Sequence, residues 1–320
     1  MDVQRTIAEA LCETGTGMTT DDRGEIGPAI RAMVAAMLLI AIIDNYVVVI
    51  AEEFGLWQFQ FTRSLMAIPV VLLAAWIAKE RLRPQNLGRV IVRSIVVSIG
   101  LMIYFGTLAF LPIAQAIAGF FTAPIFVLIF GVIFLGQRIG PIRIFAAGLG
   151  FAGAIIALEP FESGLSVIAI LPIIAAAFYA TSSLLTRHWV KEEGTLLLTL
   201  AYIIAMGVLS GAGLIGLEIW QPIAPDGPDG FVLRGWAEGS LKTWGLVLMQ
   251  AVGSVVAVGL IISAYQRADP GYVSIFEYSV LVFAPLWAWL VFGETLQIST
   301  IVGMAMIGAA GVLISLRSRS

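Results

Sequence analysis

The sequence predicts an all-α polytopic membrane protein of ten transmembrane helices, arranged as two inverted five-helix repeats with both termini cytoplasmic. Three observations carry that prediction. Of 320 residues, 59% are hydrophobic and 12% charged, with a mean hydropathy of +0.97, whereas soluble proteins carry roughly 25% charged residues. Ten apolar segments approach the ~20 residues that a helix needs to cross a hydrocarbon core of about 30 Å. The basic residues then sort to alternate loops, as they do on the cytoplasmic side of membrane proteins.

The composition excludes a soluble enzyme, because 18 Lys and Arg with 21 Asp and Glu cannot cover so much apolar surface. A net charge of −3 and basic residues confined to short loops leave no nucleic-acid footprint. Cys12 and His188 are the only residues of their types. They cannot build a zinc or iron–sulfur site, which takes about three or four ligands. No metal and no cofactor are expected.

Residues 1–28 are polar and acidic, with no apolar core of a signal peptide, and are expected to form a disordered cytoplasmic tail. The spans follow as Ala29–Ile50, Phe61–Ala78, Val90–Leu111, Ile113–Leu135, Pro141–Leu158, Leu165–Thr186, Leu196–Ile219, Trp244–Tyr265, Tyr272–Phe292 and Ile298–Leu316. The stretch from Ser94 to Gln137 holds no charge and would be about 66 Å long as one helix, twice what a bilayer needs. Pro112 is the expected break, since its ring removes a backbone donor and disfavours helix just before it.

With the N-terminus inside, the cytoplasmic segments carry Arg23 and Arg31, then Lys79, Arg81, Arg83, Arg89 and Arg93, then Arg138 and Arg143, Arg187 and Lys191, Arg267, and Arg317 with Arg319. The outer loops are acidic, with Arg234 and Lys242 as their basic residues. The run from Lys79 to Arg93 reads as an anchor to anionic inner-leaflet lipid that carries no substrate chemistry. Shifting the chain by 157 residues lays Thr107–Gln137 over Ala264–Glu294, so that Phe121 falls on Tyr278, Thr122 on Ser279 and Gly136-Gln137 on Gly293-Glu294. An odd number of spans per half inverts the second half, which gives repeats over 29–159 and 160–320 with a site between them near mid-membrane.

The segments Leu108–Ala116, Thr122–Phe126 and Leu135–Arg138 resemble the helix 3–4 signature of the EamA-type branch of the drug/metabolite transporter superfamily. Ala264-Tyr265, Phe276-Glu277-Tyr278 and Phe292-Gly293-Glu294 are similar to the same signature in a second repeat, and Gln60–Leu65 resembles the start of its second helix. The resemblance implies a ten-helix secondary transporter. Two positions depart from it: Gln137 stands where the family usually has Glu, and Asp44-Asn45 replaces an aromatic-glycine pair in helix 1. That Asp resembles a sub-branch whose assigned substrates include S-adenosylmethionine and riboflavin.

A charge inside a bilayer is costly enough to suggest function. Asp44 lies roughly 9 Å below the outer end of its span, with Arg63 near the outer end of the next. The two read either as a structural ion pair or as a site in which Asp44 binds substrate or a proton. Asn45 reads as a partner in the site or as a helix-to-helix hydrogen bond. Glu277 lies about 8 Å inside the cytoplasmic end of span 9, where it could exchange a proton or reach a loop arginine. Tyr278 stands beside it. Gln115 and Gln250 are polar side chains of the kind that line a pathway or bridge helices. Tyr104, Phe121 and Tyr179, with Phe120 and Tyr202, could stack on a flat or cationic ligand or serve as core aromatics. The small-residue spacings Ala146-Gly150-Ala154 and Ala305-Ala309 admit close helix packing within a monomer or across a homodimer.

The expected function is secondary-active transport, by alternating access, of a small polar, zwitterionic or cationic metabolite. It could be of the S-adenosylmethionine or riboflavin uptake type, or an amino-acid or metabolite exporter, with a proton or another ion as coupling partner, in a bacterial inner membrane. The alternatives are an intramembrane enzyme or a channel. No Lys follows a Gly, so the chain holds no phosphate-binding GK[ST] motif of a primary pump. Asp44 is the only Asp within a span and His188 is in a loop, so an HExxH site or an intramembrane aspartate pair has no residues to build it.

Overall fold

The computed structural model describes residues 20–107, 111, 113–159, 167–225, 230–293 and 295–317, all of them helix or loop. By length and composition, nine helical stretches among the described residues can cross a membrane, and a tenth, Ile298–Ile314, is apolar and shorter. Large apolar side chains on their outer faces, such as Trp76, Val208 and Ile215, are more than half exposed. That is the surface of a multi-pass membrane protein.

The first described helices are α1 (Thr20–Asp44) and α2 (Val47–Glu53), which carry the first span, Glu25–Glu53. Of the expected tail, residues 1–19 lie outside the described residues and 20–28 are helical; the span thus starts before Ala29, and the helix breaks after Asp44. Asn45 Nδ2 donates to Ala41 O at 2.6 Å and to Ala284 O at 3.4 Å. A short polar side chain that bonds its own backbone competes with the helix ladder. The second span is α3 (Leu56–Ala78) and the third α4 (Leu87–Thr107). Pro112, the expected break, lies outside the described residues, between α4 and α5 (Ile113–Phe120).

The fourth span also consists of two helices, α5 and α6 (Ala123–Leu135). Thr122 Oγ1 donates to Gly119 O at 2.7 Å across the break, and Pro124 has no N–H to extend the α5 ladder. Next come α7 (Pro141–Leu158), α8 (Ile170–His188), α9 (Thr195–Trp220) and α10 (Leu241–Arg267). The ninth span is broken into α11 (Pro270–Val273), a 3₁₀ segment Ser274–Ser279, α12 (Val280–Trp287) and a π turn Ala288–Phe292. The final helix is α13 (Ile298–Arg317). The offset of 157 that lays Thr122 on Ser279 therefore lays the break in span 4 on the end of the 3₁₀ segment in span 9. Each repeat interrupts its fourth helix at the same register, a construction that marks binding sites in inverted-repeat transporters.

The four most extensive helix packings all join one half to the other: α1 with α10, α3 with α9, α4 with α8, and α7 with α13. The repeat exchanges the first and third of these pairs and maps the other two onto themselves. In the α7–α13 pair, Gly153 and Gly303 meet backbone to backbone, and a Cβ on Gly303 would lie 2.4 Å from Gly153 O. Ala146 and Ala154 are fully buried in that seam. Ala305 and Ala309 are exposed, and α13 packs instead through Gly303, Ile307 and Ala310.

Carboxylates and amides latch both ends of the bundle. At one end Glu80 accepts from the N–H groups of Leu196 and Leu197, Glu193 from those of Gln85 and Asn86, and Arg143 pairs with Asp269 at 3.3 Å over the ring of Tyr272. At the other, Gln58 exchanges two hydrogen bonds with Ala237, Trp57 Nε1 donates to Val232 O, and Arg234 donates to Ala51 O. Lys79, Arg81, Arg83 and Arg89 are exposed at the first of these ends. Arg93 does not belong with them. It is only 5% exposed, inside the bundle.

Candidate functional site

Two polar clusters lie at different depths of the bundle, each with one carboxylate and each drawing on both repeats. The first surrounds Asp44 at the break in span 1. Gln250 of α10 donates Nε2 to Ile43 O at 2.7 Å, which ties the carbonyl just before the break to the other half. Arg63 of α3, Gln250 and Tyr104 of α4 are the polar neighbours of Asp44. Asp44 is nevertheless open to a water-sized probe.

Arg63 is 8% exposed, with its guanidinium carbon 5.4 Å from the Phe59 ring centroid. Among the described residues no ion pair within 4.0 Å joins it to Asp44. The expected alternative of a closed structural ion pair is therefore not what the chain forms here. Asn45 spends its amide on the backbone carbonyls named above, and Gln250 keeps a buried Oε1 without a partner among the described residues.

The second cluster surrounds Glu277, which the 3₁₀ segment carries into the protein at 5% exposure. Its Oε1 accepts hydrogen bonds from Tyr179 Oη of α8 at 2.8 Å and from Tyr265 Oη of α10 at 2.5 Å. Tyr278 is fully buried beside it, packed against Gly150, where a Cβ would come within 2.6 Å of the ring. Its hydroxyl has no partner among the described residues. Arg93 of α4 joins the cluster: Nε donates to Thr186 Oγ1 of α8 at 3.0 Å, and Tyr179 and Tyr202 lie in its electrostatic reach.

Aromatic rings connect the clusters. Tyr104, beside Asp44, stands 4.4 Å from Phe120, which stands 5.4 Å from Tyr179. Phe120 also meets Phe121 at 6.3 Å, and Phe121 meets Tyr278 at 5.9 Å. The break in span 4 supplies both phenylalanines, and the 157-residue offset lays Phe120 on Glu277. The arrangement offers a carboxylate at each end, an aromatic surface between, Arg63 in the field of Asp44, and Arg93 in the field of the Tyr179 that bonds Glu277. Such a set can hold a flat or dipolar molecule by stacking and by charge.

Ten of the twelve side chains singled out in the sequence, all but Asn45 and Gln115, thus fall in the clusters or the aromatic run. Gln115 is buried in α5. Arg93 and Tyr265 were not among them. Arg93 stands fourth in its expected span, a position from which a long basic side chain can also reach the headgroups. Tyr265 ends its expected span, where tyrosines commonly mark the interface belt.

Comparison with known proteins agrees with this architecture. Residues 27–158 and 166–316 each match the EamA-like transporter family. A riboflavin transporter of Rhizobium johnstonii is 29% identical over 258 residues, 81% of this chain and 78% of that protein. The pseudopaline exporter CntI of Pseudomonas aeruginosa is 27% identical, over 80% and 84% of the two chains. An S-adenosylmethionine uptake transporter of Rickettsia bellii is 22% identical, over 82% of each. A solved crystal structure shares the fold with a TM-score of 0.75 at 18% identity, covering 91% of this chain and 99% of its own.

Proposed function

This chain belongs to the EamA-like transporter family, and on that premise we propose that it is a secondary transporter moving a small polar, zwitterionic or cationic metabolite through one central pathway by alternating access. The reading rests on one observation above others: two carboxylate clusters of unequal access, Asp44 open and Glu277 closed, joined by an aromatic run. Alternating access opens a central site to one side at a time. A carboxylate toward each gate can hold a proton or the cationic part of a substrate and release it when its surroundings rehydrate.

The family's named substrates fit this surface in kind. Riboflavin has a flat ring system that would stack on Phe120 and Phe121. S-adenosylmethionine adds a sulfonium and an amino acid group, which match a carboxylate beside an aromatic ring. Bacterial relatives and the basic-residue sorting support a bacterial inner membrane, with the Lys79–Arg89 loop on the cytoplasmic side.

The test is counterflow in proteoliposomes, with riboflavin and S-adenosylmethionine as labelled probes. Saturable exchange of at least one probe is expected. Flux that never saturates would make the protein a channel, and chemical conversion of a probe would make it an enzyme. Proteoliposomes that move neither probe, nor any of a wider set of zwitterionic metabolites, would overturn the reading.

A further inference from the structure

Arg93 has one of its donors in use. Nε bonds Thr186 Oγ1, while among the described residues the buried Nη1 has no partner and no ion pair within 4.0 Å includes Arg93. A buried charged donor left open is costly, and an ionised side chain in a membrane span is by default a functional one. The guanidinium presents a planar fork of donors that matches the two oxygens of a carboxylate or phosphate.

Its surroundings give the open donor a direction. Tyr179 donates to Glu277 and also lies in the field of Arg93. The cluster therefore holds a positive and a negative group that share a tyrosine and do not pair. A molecule carrying both charges can satisfy both at once.

The repeat supports the same assignment. The offset of 157 lays Arg93 on Gln250. Each stands on the third helix of its half, and each of those helices packs on the first helix of the other half. Both make a bond across the interface, Arg93 to Thr186 and Gln250 to Ile43, and both keep one buried polar atom without a partner among the described residues. At the Gln250 end Arg63 supplies the cation in the field of Asp44, and at the other end Arg93 is the cation in the field of Tyr179, which bonds Glu277.

We propose that Arg93 binds an oxyanion of the transported molecule, a carboxylate or a phosphate, when the bundle opens at the Glu277 end. The assignment rests on the transport reading above.

The first test needs no transport. The full chain in lipid-free detergent is titrated with sodium acetate and with sodium phosphate against sodium chloride at equal ionic strength, and its melting temperature is followed. Wild type is expected to gain stability with acetate or phosphate beyond the chloride effect. Arg93→Gln is expected to lose that gain and Arg93→Lys to keep part of it. A response to phosphate in lipid-free micelles assigns the site to a soluble oxyanion and not a lipid headgroup. No gain in wild type, or an equal gain in Arg93→Gln, overturns the assignment whether or not the protein transports either probe above. The second test uses paired probes in proteoliposomes: riboflavin with its 5′-phosphate, and S-adenosylmethionine with its decarboxylated form. Arg93→Gln is expected to reduce the preference for the oxyanion-bearing member by about tenfold, the effect of one lost charge-assisted contact. Unchanged preference in that variant, or none in wild type, counts against the assignment.

Discussion

Tyr179 links the two functional groups of the bundle: its hydroxyl bonds Glu277 Oε1 at 2.8 Å, and its ring stands 5.4 Å from Phe120. Through Phe120 and Tyr104 the contact continues toward Asp44. A change in the bonding of Glu277 therefore has a packed route into the aromatic run.

Removing that link should cost stability. Tyr179→Phe leaves the ring in place but takes one of two donors from a buried carboxylate, a loss of about 1–3 kcal/mol. Tyr265→Phe should cost a similar amount. The double variant should depart from additivity, because both donors serve one oxygen. Thermal melts of the purified variants measure this, and melting curves that match wild type for both single variants would show that the hydroxyls contribute nothing.

Asp44→Asn and Glu277→Gln keep shape and delete charge. Each is expected to insert normally and to lose most substrate accumulation, at least one of them with its pH dependence. Uptake assays from mildly acidic to mildly alkaline pH check this. If both transport like wild type throughout, the carboxylates are structural, and the site must be sought among the aromatic and amide side chains.

Gly303→Ala should destabilise the α7–α13 seam by about 1–3 kcal/mol or more, since the new Cβ meets the Gly153 carbonyl oxygen. Gly308→Ala on the same helix meets nothing within 4 Å and should be neutral, or stabilising by up to about 1 kcal/mol. Equal melting temperatures for the two variants would contradict the close approach.

Orientation can be read by cysteine labelling in a Cys12→Ser background. A cysteine at Arg83 should react only from the cytoplasm and one at Gly235 only from outside, as the basic-residue sorting requires. The reverse pattern would invert the protein and exchange the sides toward which Asp44 and Glu277 open.

What the sequence determined by itself was the number and order of spans, the two repeats, and the presence of costly charge at Asp44 and Glu277. These are local quantities: hydropathy adds up along each helix, and a carboxyl inside an apolar run is visible without its partners. Breaks followed the same logic only in part. A ring such as that of Pro112 can be read as a break from one residue alone, whereas the interruption at Asn45 depends on which carbonyls its amide chooses, one of them Ala284 in the other half. Tertiary structure alone decided what each charge faces. Gln250 reaches Ile43 across 207 residues and Tyr179 reaches Glu277 across 98. No pattern within one span carries such pairings, because they arise where helices distant in sequence cross. Arg93 illustrates this best. Four residues into its span, its long side chain could equally snorkel to lipid headgroups or turn inward, and the packing of α4 on α8, with Thr186 within reach, turns it inward.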